Sequence, residues 1–164
     1  MKTRNVYVAS DHAGFDLKSY ILNQWANGFV QTSKIPSEPT TLWKFIDLGP
    51  ASDARVDYPD FAHAVCARVL EEKNAGSRGI LICGSGQGMA ISANRHTGIR
   101  AALVWNEEST ILSRSHNDAN VLCVGARLIE RDLMKTILPA FFNTDFEGGR
   151  HIGRLQKIEP ASKG

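Results

Sequence analysis

A chain of 164 residues, 43% of them hydrophobic, can bury one substantial core and is too short for two ordinary domains. A formal net charge of +2 with 22% charged residues excludes the basic excess of a dedicated nucleic-acid binder while leaving small anions as ligands. No apolar run reaches the length of a membrane span or forms a signal-peptide core, and three cysteines, an odd number, argue against a disulfide framework, so the expected compartment is the reducing cytoplasm.

Val6 to Ser10 reads as a short buried strand, closed by the polar turn Asp11-His12-Ala13-Gly14 before an amphipathic helix from Phe15 to Trp25. Leu17, Ile21, Leu22 and Trp25 recur at helical spacing, and Asn27-Gly28 stops the run. From Phe29 to Thr41 the composition turns to Ser, Thr and Lys with Pro36 and Pro39, which predicts a long surface loop. Trp43 to Leu48 is the second strand; Pro59 suits the first turn of a helix carrying the stripe Phe61, Val65 and Val69, which ends at Gly76. The third strand is Ile80-Leu-Ile82, apolar on both faces, and Ile99 to Val104 is the fourth. Asn106 can cap a helix with Glu107 and Glu108 in its first turn, placing His116 near its C-terminus. Asn120 to Gly125 is the fifth strand, and Leu133, Met134, Ile137 and Leu138 mark a last helix disturbed by Pro139. The tail has no strong periodicity. Five alternations of strand and helix predict a three-layer α/β sandwich around a parallel sheet.

The third strand ends in Cys83 and breaks into Gly84-Ser85-Gly86-Gln87-Gly88. Strand ends of this kind border the ligand crevice of open α/β sheets, and alternate glycines let backbone N–H groups approach an anion. A thiol in that field should lose its proton more easily. A dinucleotide fingerprint would need glycine where Met89 stands, a P-loop needs Gly-Lys-Ser/Thr, and a cysteine phosphatase loop needs arginine, again at Met89. What remains suits proton transfer beside a carbonyl whose oxygen becomes negative, with the thiolate as base and the loop as oxyanion donor. Without its glycines Cys83 reads equally as a small buried hydrophobe, and Cys66 and Cys123, lying in apolar stripes, read as packing.

His116-Asn117-Asp118 reads from residue type as a helix stop and turn, or alternatively as an acid–base imidazole at a helix C-terminus. Asp11-His12 carries the same ambiguity, tilted towards a site by its place at a strand's carboxyl end. Arg150 and Arg154 are either a solvated face or a forked clamp on phosphate. Trp43 and Phe141-Phe142 read as packing. No metal-ligand spacing links the Cys, His, Asp and Glu residues, so neither a metal nor a cofactor is expected.

Taken together, Ala9 to Gly14, Asp57-Tyr-Pro-Asp60, Gly79 to Gly88, Gly98 to Ala102, Ser113 to Leu122 and Glu147-Gly-Gly-Arg-His151 make the chain resemble the type B ribose-5-phosphate isomerase family, with its galactose- and allose-phosphate relatives. The resemblance implies a Rossmann-like five-stranded parallel sheet flanked by helices, in a single isomerase domain over 1–164 whose tail, about 142–164, contributes to the active site or dimer. It also implies a metal-independent aldose–ketose isomerisation through a cis-enediolate. On that resemblance Cys83 is the base, Ser85 stands where threonine is usual, and Gly84, Gly86 and Gly88 belong to the anion hole. His116 opens the furanose ring with Asp11 assisting, and Asn117 contacts a hydroxyl. His12, Arg150 and Arg154 contact phosphate or substrate, with Arg127 a further candidate. The implied partners are a phosphosugar and a second copy of the chain, in a homodimer or dimer of dimers with shared sites. Two departures bear on substrate choice: the long 29–41 excursion, and Gln87 where an aliphatic residue is common. Retention of both Cys83 and His116 favours a furanose-forming substrate such as ribose 5-phosphate over a sugar that cannot cyclise. The alternative, a tetrose or hexose phosphate, rests on Gln87 and the long loop, and the thiol, imidazole and paired arginines together weigh against a non-catalytic phosphosugar sensor.

Overall fold

The computed structural model describes residues 1–32 and 39–160. In chain order the elements are β1 (Lys2–Ser10), α1 (Phe15–Gln24), β2 (Phe29–Gln31), β3 (Thr41–Asp47), α2 (Tyr58–Glu71), β4 (Arg78–Cys83), α3 (Gln87–Ala93), β5 (Ala101–Leu103), α4 (Glu107–Ser115), β6 (Val121–Gly125), α5 (Met134–Asn143) and α6 (Arg150–Leu155). The sheet runs β2-β3-β1-β4-β6-β5, parallel throughout except where β2 pairs antiparallel with β3.

Five strands are thus the expected parallel ones, and the sixth corrects the reading of 29–41 as one surface loop. Phe29 stacks on Phe142 at 5.2 Å between ring centroids, and Gln31 accepts a hydrogen bond from the Trp43 indole at 2.9 Å. Those two contacts tie a short, polar-flanked segment to the sheet edge, a result of tertiary packing that local composition does not carry. The rest of that excursion, 33–38, lies outside the described residues.

Side chains alternate across the sheet as strand geometry requires. Val6, Val8, Ile80, Ile82, Leu122 and Val124 meet α1 and α5 in one core layer, with Trp43, Phe141 and Phe142 fully buried there. Tyr7, Ala9, Leu81, Cys83, Val121 and Cys123 meet α2 and α3 in the other. Trp43 and the phenylalanine pair are therefore packing, as expected, with Trp43 and Phe142 rings 4.9 Å apart.

Several polar side chains are buried by design. Lys18 of α1 is 1% exposed, and its ammonium donates to Asp47 at 2.7 and 2.9 Å and to the Pro50 carbonyl at 2.7 Å, which fixes the loop after β3. Arg78 opens β4 with its guanidinium against the rings of Trp43, Phe141 and Phe142, donating to the Phe141 carbonyl. On the opposite layer His63 of α2 and His96, just past α3, share a 2.7 Å hydrogen bond between Nδ1 and Nε2.

Asn106 caps α4 as expected, accepting from the Ser109 N–H at 2.8 Å while the Ser109 hydroxyl answers the Asn106 N–H at 3.2 Å. The fourth strand shrinks to three residues, and at its outer edge the Asn94 side chain bonds both backbone groups of Ala101, at 2.8 and 2.9 Å. The tail, which has no strong periodicity in the sequence, forms α6 after Gly149, whose φ is +55°.

Candidate active site

The chain leaves β1 towards β3 with α1 on one face of the sheet, and leaves β4 in the opposite direction with α3 on the other face. The loops after β1 and β4 therefore part, opening a crevice at the carboxyl ends of two adjacent strands, where open α/β sheets hold ligands. Asp11 and Cys83 stand on either side of it.

Cys83 is 4% exposed, and the Gly86 N–H donates to its Sγ at 3.1 Å. That donor bond is stronger to a thiolate than to a thiol. Gly86 has φ +76°, and a Cβ there would stand 2.5 Å from a Leu103 methyl and 2.8 Å from the Val124 carbonyl carbon, so only glycine lets the loop turn this tightly over β6. Gly86 is also the cap of α3, which places Gln87 and Gly88 in the helix's first turn and leaves Gln87 exposed. The Ser85 hydroxyl accepts from the Gln87 N–H at 3.4 Å. The Tyr58 ring lies on Gly88, where a Cβ would come within 2.6 Å of it. Tyr58 belongs to the Asp57-Tyr-Pro-Asp60 motif, whose residue types alone point to no role for its ring.

Asp11 is 6% exposed; its carboxylate accepts from the Gly14 N–H at 3.0 Å, and its own N–H donates to the Ile82 carbonyl at 3.0 Å, tying the β1 turn to β4. The His12 Nδ1 lies 3.2 Å from the Val56 carbonyl and 3.4 Å from its nitrogen, so the segment before α2 orients that ring. Arg127, just beyond β6, is exposed, and a Cβ on Gly84 would stand 3.1 Å from its guanidinium. Asp11, His12, the 83–88 loop, Tyr58 and Arg127 thus share the carboxyl edge of the sheet.

His116 does not. α4 runs back from the carboxyl edge, so His116, its C-cap, and exposed Asn117 precede β6 at the amino edge. The five residues of β6 separate the two groups by roughly 17 Å of strand. At the amino edge the tail adds to His116: the Glu147 N–H donates to the Ser115 carbonyl at 3.0 Å, and buried His151 stacks on His116 with centroids 4.3 Å apart. A Glu147 carboxylate oxygen lies 3.9 Å from the His116 Nε2 and 3.7 Å from that of His151. Burial pushes the His151 imidazole pKa down, and the charges of His116, Arg150 and Arg154 add to the effect. Donor atoms of His116, Glu147 and His151 lie within 4.8 Å of one another, a set able to hold a divalent cation that no ligand spacing in the sequence pointed to. Arg150 and Arg154 are exposed one turn apart on α6.

Residues 6–158 match the model of the Ribose/Galactose Isomerase family. The chain belongs to the ribose/galactose isomerase family. It is 37% identical to ribose-5-phosphate isomerase B of Escherichia coli strain K12 over 155 residues, covering 94% of each chain. Among solved structures, it resembles ribose-5-phosphate isomerase B of Mycoplasma genitalium with bound ribulose-5-phosphate at TM-score 0.81 and 38% identity, covering 96% of this chain and 95% of that one. The Thermotoga maritima ribose 5-phosphate isomerase is similar at TM-score 0.80 and 40% identity, with 94% and 97% covered. For this member of the ribose/galactose isomerase family the residues expected from resemblance are all present, yet one chain brings them together as two sets on opposite edges of its sheet. No helix of the described residues is long and apolar enough to cross a membrane.

Proposed function

We propose that this phosphosugar isomerase interconverts ribose 5-phosphate and ribulose 5-phosphate through a cis-enediolate. The observation that carries the assignment of chemistry is the Gly86 N–H aimed at the Cys83 sulfur, in the crevice between β1 and β4. Cys83 as thiolate takes the proton from C2 of the open-chain aldose and returns it to C1, while backbone N–H groups of the 84–88 turn meet the oxygen that gains charge. His116 exchanges the proton that opens the furanose, with Asp11 assisting from the other side. His12, Arg150 and Arg154 take the phosphate, and Arg127, beside Gly84, reaches the same ligand. The ribulose-5-phosphate named with the Mycoplasma genitalium relative supports the five-carbon substrate.

The separation of Cys83 from His116 within one chain supports a site shared between two copies, in which the carboxyl edge of one faces the amino edge of the other. A homodimer is the smallest assembly that meets this need, and 1–164 acts as one isomerase domain whose tail from about 142 serves that shared site. Three free thiols suit a reducing cytoplasm. A second substrate reading, a tetrose or hexose phosphate, rests on exposed Gln87 in the first turn of α3.

The test is a panel of phosphosugars with ketose or aldose formation followed directly. Ribose 5-phosphate is expected to have the highest kcat/KM; a clear preference for another chain length overturns the substrate. Cys83→Ala is expected to lower kcat by about 10²–10⁴-fold, and undiminished turnover removes Cys83 as the base.

A further inference from the structure

At the amino edge of the sheet lies a cavity of about 540 Å³ whose lining includes Arg4, Lys73, Arg78, Arg100 and Arg114, with Asp118 its sole carboxylate. The Asp118 carboxylate is already shared, 2.9 Å from Arg100 and 2.8 Å from Arg114. Arg4, Lys73 and Arg78 form no ion pair among the described residues. The Arg4 Nε is buried without a hydrogen-bond partner. Arg78 is only 9% exposed, and one side of its guanidinium is occupied by aromatic rings. Burial pushes its pKa down, the like charges of Arg114 and Arg4 add to this, and Asp118 and Asp145 oppose it only in part. Charges crowded in this way are unfavourable unless an anion joins them.

We propose that this cavity binds a compact, multiply charged phosphate, such as a pyrophosphate or a small bisphosphate. Its volume falls within the range of small-molecule sites, and the excess of guanidinium donors matches forked recognition of phosphate oxygens. No aromatic ring lines it among the described residues, so a nucleobase would find no stacking surface and the phosphates alone supply the binding.

The cavity is wired to the turn that carries His116 and Asn117. The Arg100 Nε donates to the carbonyls of Asn117 at 3.1 Å and Asp118 at 2.9 Å, and Arg114 donates to the Ala119 carbonyl at 2.6 Å. Asp118 itself sits at φ +45°, in the left-handed region that among non-glycine residues Asn and Asp adopt most readily, and its carboxylate bonds to Arg100 and Arg114 accompany that turn. An anion that draws Arg100 and Arg114 towards itself weakens that hold, displaces His116 and lowers turnover. This effect on catalysis rests on the isomerase reading; the binding does not.

Calorimetric titration of pyrophosphate at fixed ionic strength, with ribose 5-phosphate in large excess, tests the site. Arg78 is too deeply packed to substitute safely, so the comparison uses Arg4→Gln with exposed Lys73→Gln. Wild-type protein is expected to show one saturable event per chain, weakened about tenfold or more in the double variant. In steady-state assays pyrophosphate is expected to lower the wild-type kcat and to act on the variant only at correspondingly higher concentration, with basal kcat/KM unchanged. Equal binding by the two proteins, or inhibition purely competitive with ribose 5-phosphate, overturns the proposal. A protein that bound pyrophosphate through Arg4 and Lys73 but isomerised no phosphosugar would sink the isomerase reading and leave the site standing.

Discussion

The three cysteines lie in one buried core layer, Cys66 on helix α2 and Cys83 and Cys123 on strands β4 and β6, and they differ in what faces the sulfur. Burial alone pushes the Cys66 thiol up to about 12, and pushes Cys123 well above the ordinary value, with Cys66 and Cys83 adding like charge. Among the described residues Cys66 has only the Ala93 carbonyl, 3.9 Å away, as an acceptor for its S–H, whereas Cys83 receives a backbone N–H. Limited alkylation with iodoacetamide at pH 8, read by peptide mass spectrometry, is expected to label Cys83 first and to leave Cys66 and Cys123 unmodified until the protein unfolds. Labelling of Cys66 at the same rate would contradict the burial argument. At this scale the candidate residues were legible where strand and loop patterns isolate them: Cys83 closes an unbroken apolar run and is followed by alternate glycines. Lys18, Arg78 and His151 were not, because a charged residue on a helix, at a strand start or in a tail normally stays in water, and only the assembled fold provides the partners that bury them.

Among the elements, α4 was the most legible, because Asn106 and the acidic first turn announce its start before any packing is known. Asn106→Ala is expected to cost about 1 kcal/mol of stability, measured by denaturant unfolding, with no change of fold by circular dichroism. β2 and α6 escaped sequence reading for a shared physical reason. Three residues of strand and six of helix are too short to show a period, and each persists through contacts with distant residues, Phe142 in one case and His116 in the other. The pair His63–His96 links α2 to the end of α3 and predicts a pH effect. Partial burial and the facing His63 lower the His96 pKa from its ordinary 6.5, so the unfolded chain takes up that proton more readily than the folded one. The corresponding stability is fully present above about pH 6.5 and is lost as the pH falls through the lower folded value. Thermal unfolding of His96→Asn should therefore depend less on pH between 7 and 5 than that of the parent chain, and parallel profiles would exclude the pair as a contributor.

For the molecule as a whole, the edge-to-edge separation of the two residue sets has a quantitative consequence. If each site takes Cys83 from one copy and His116 from another, a hybrid of Cys83→Ala with His116→Asn has one site carrying both lesions and one carrying neither. Random reassociation of equal amounts makes half of the dimers hybrid, so mixing two inactive proteins should restore about a quarter of the parental activity. Activity staying at the level of the separate variants after mixing under conditions of subunit exchange would place both residues in a site within one chain. The sandwich, its five parallel strands and the crevice were legible from alternating patterns, since those depend on local periodicity. Which edge each residue occupies follows from the direction of α4, and it becomes decisive only once the strand order is known.

The Asn94 side chain occupies both outward-facing hydrogen-bonding groups of Ala101. A border strand left open there would be a template for another chain's backbone, inviting continuous sheets across molecules and, under stress, fibrillar aggregates. At Ala101 an amide that mimics a neighbouring strand takes up that template, leaving less of the three-residue border strand open to another backbone. One asparagine thereby takes the place of a neighbouring strand at Ala101.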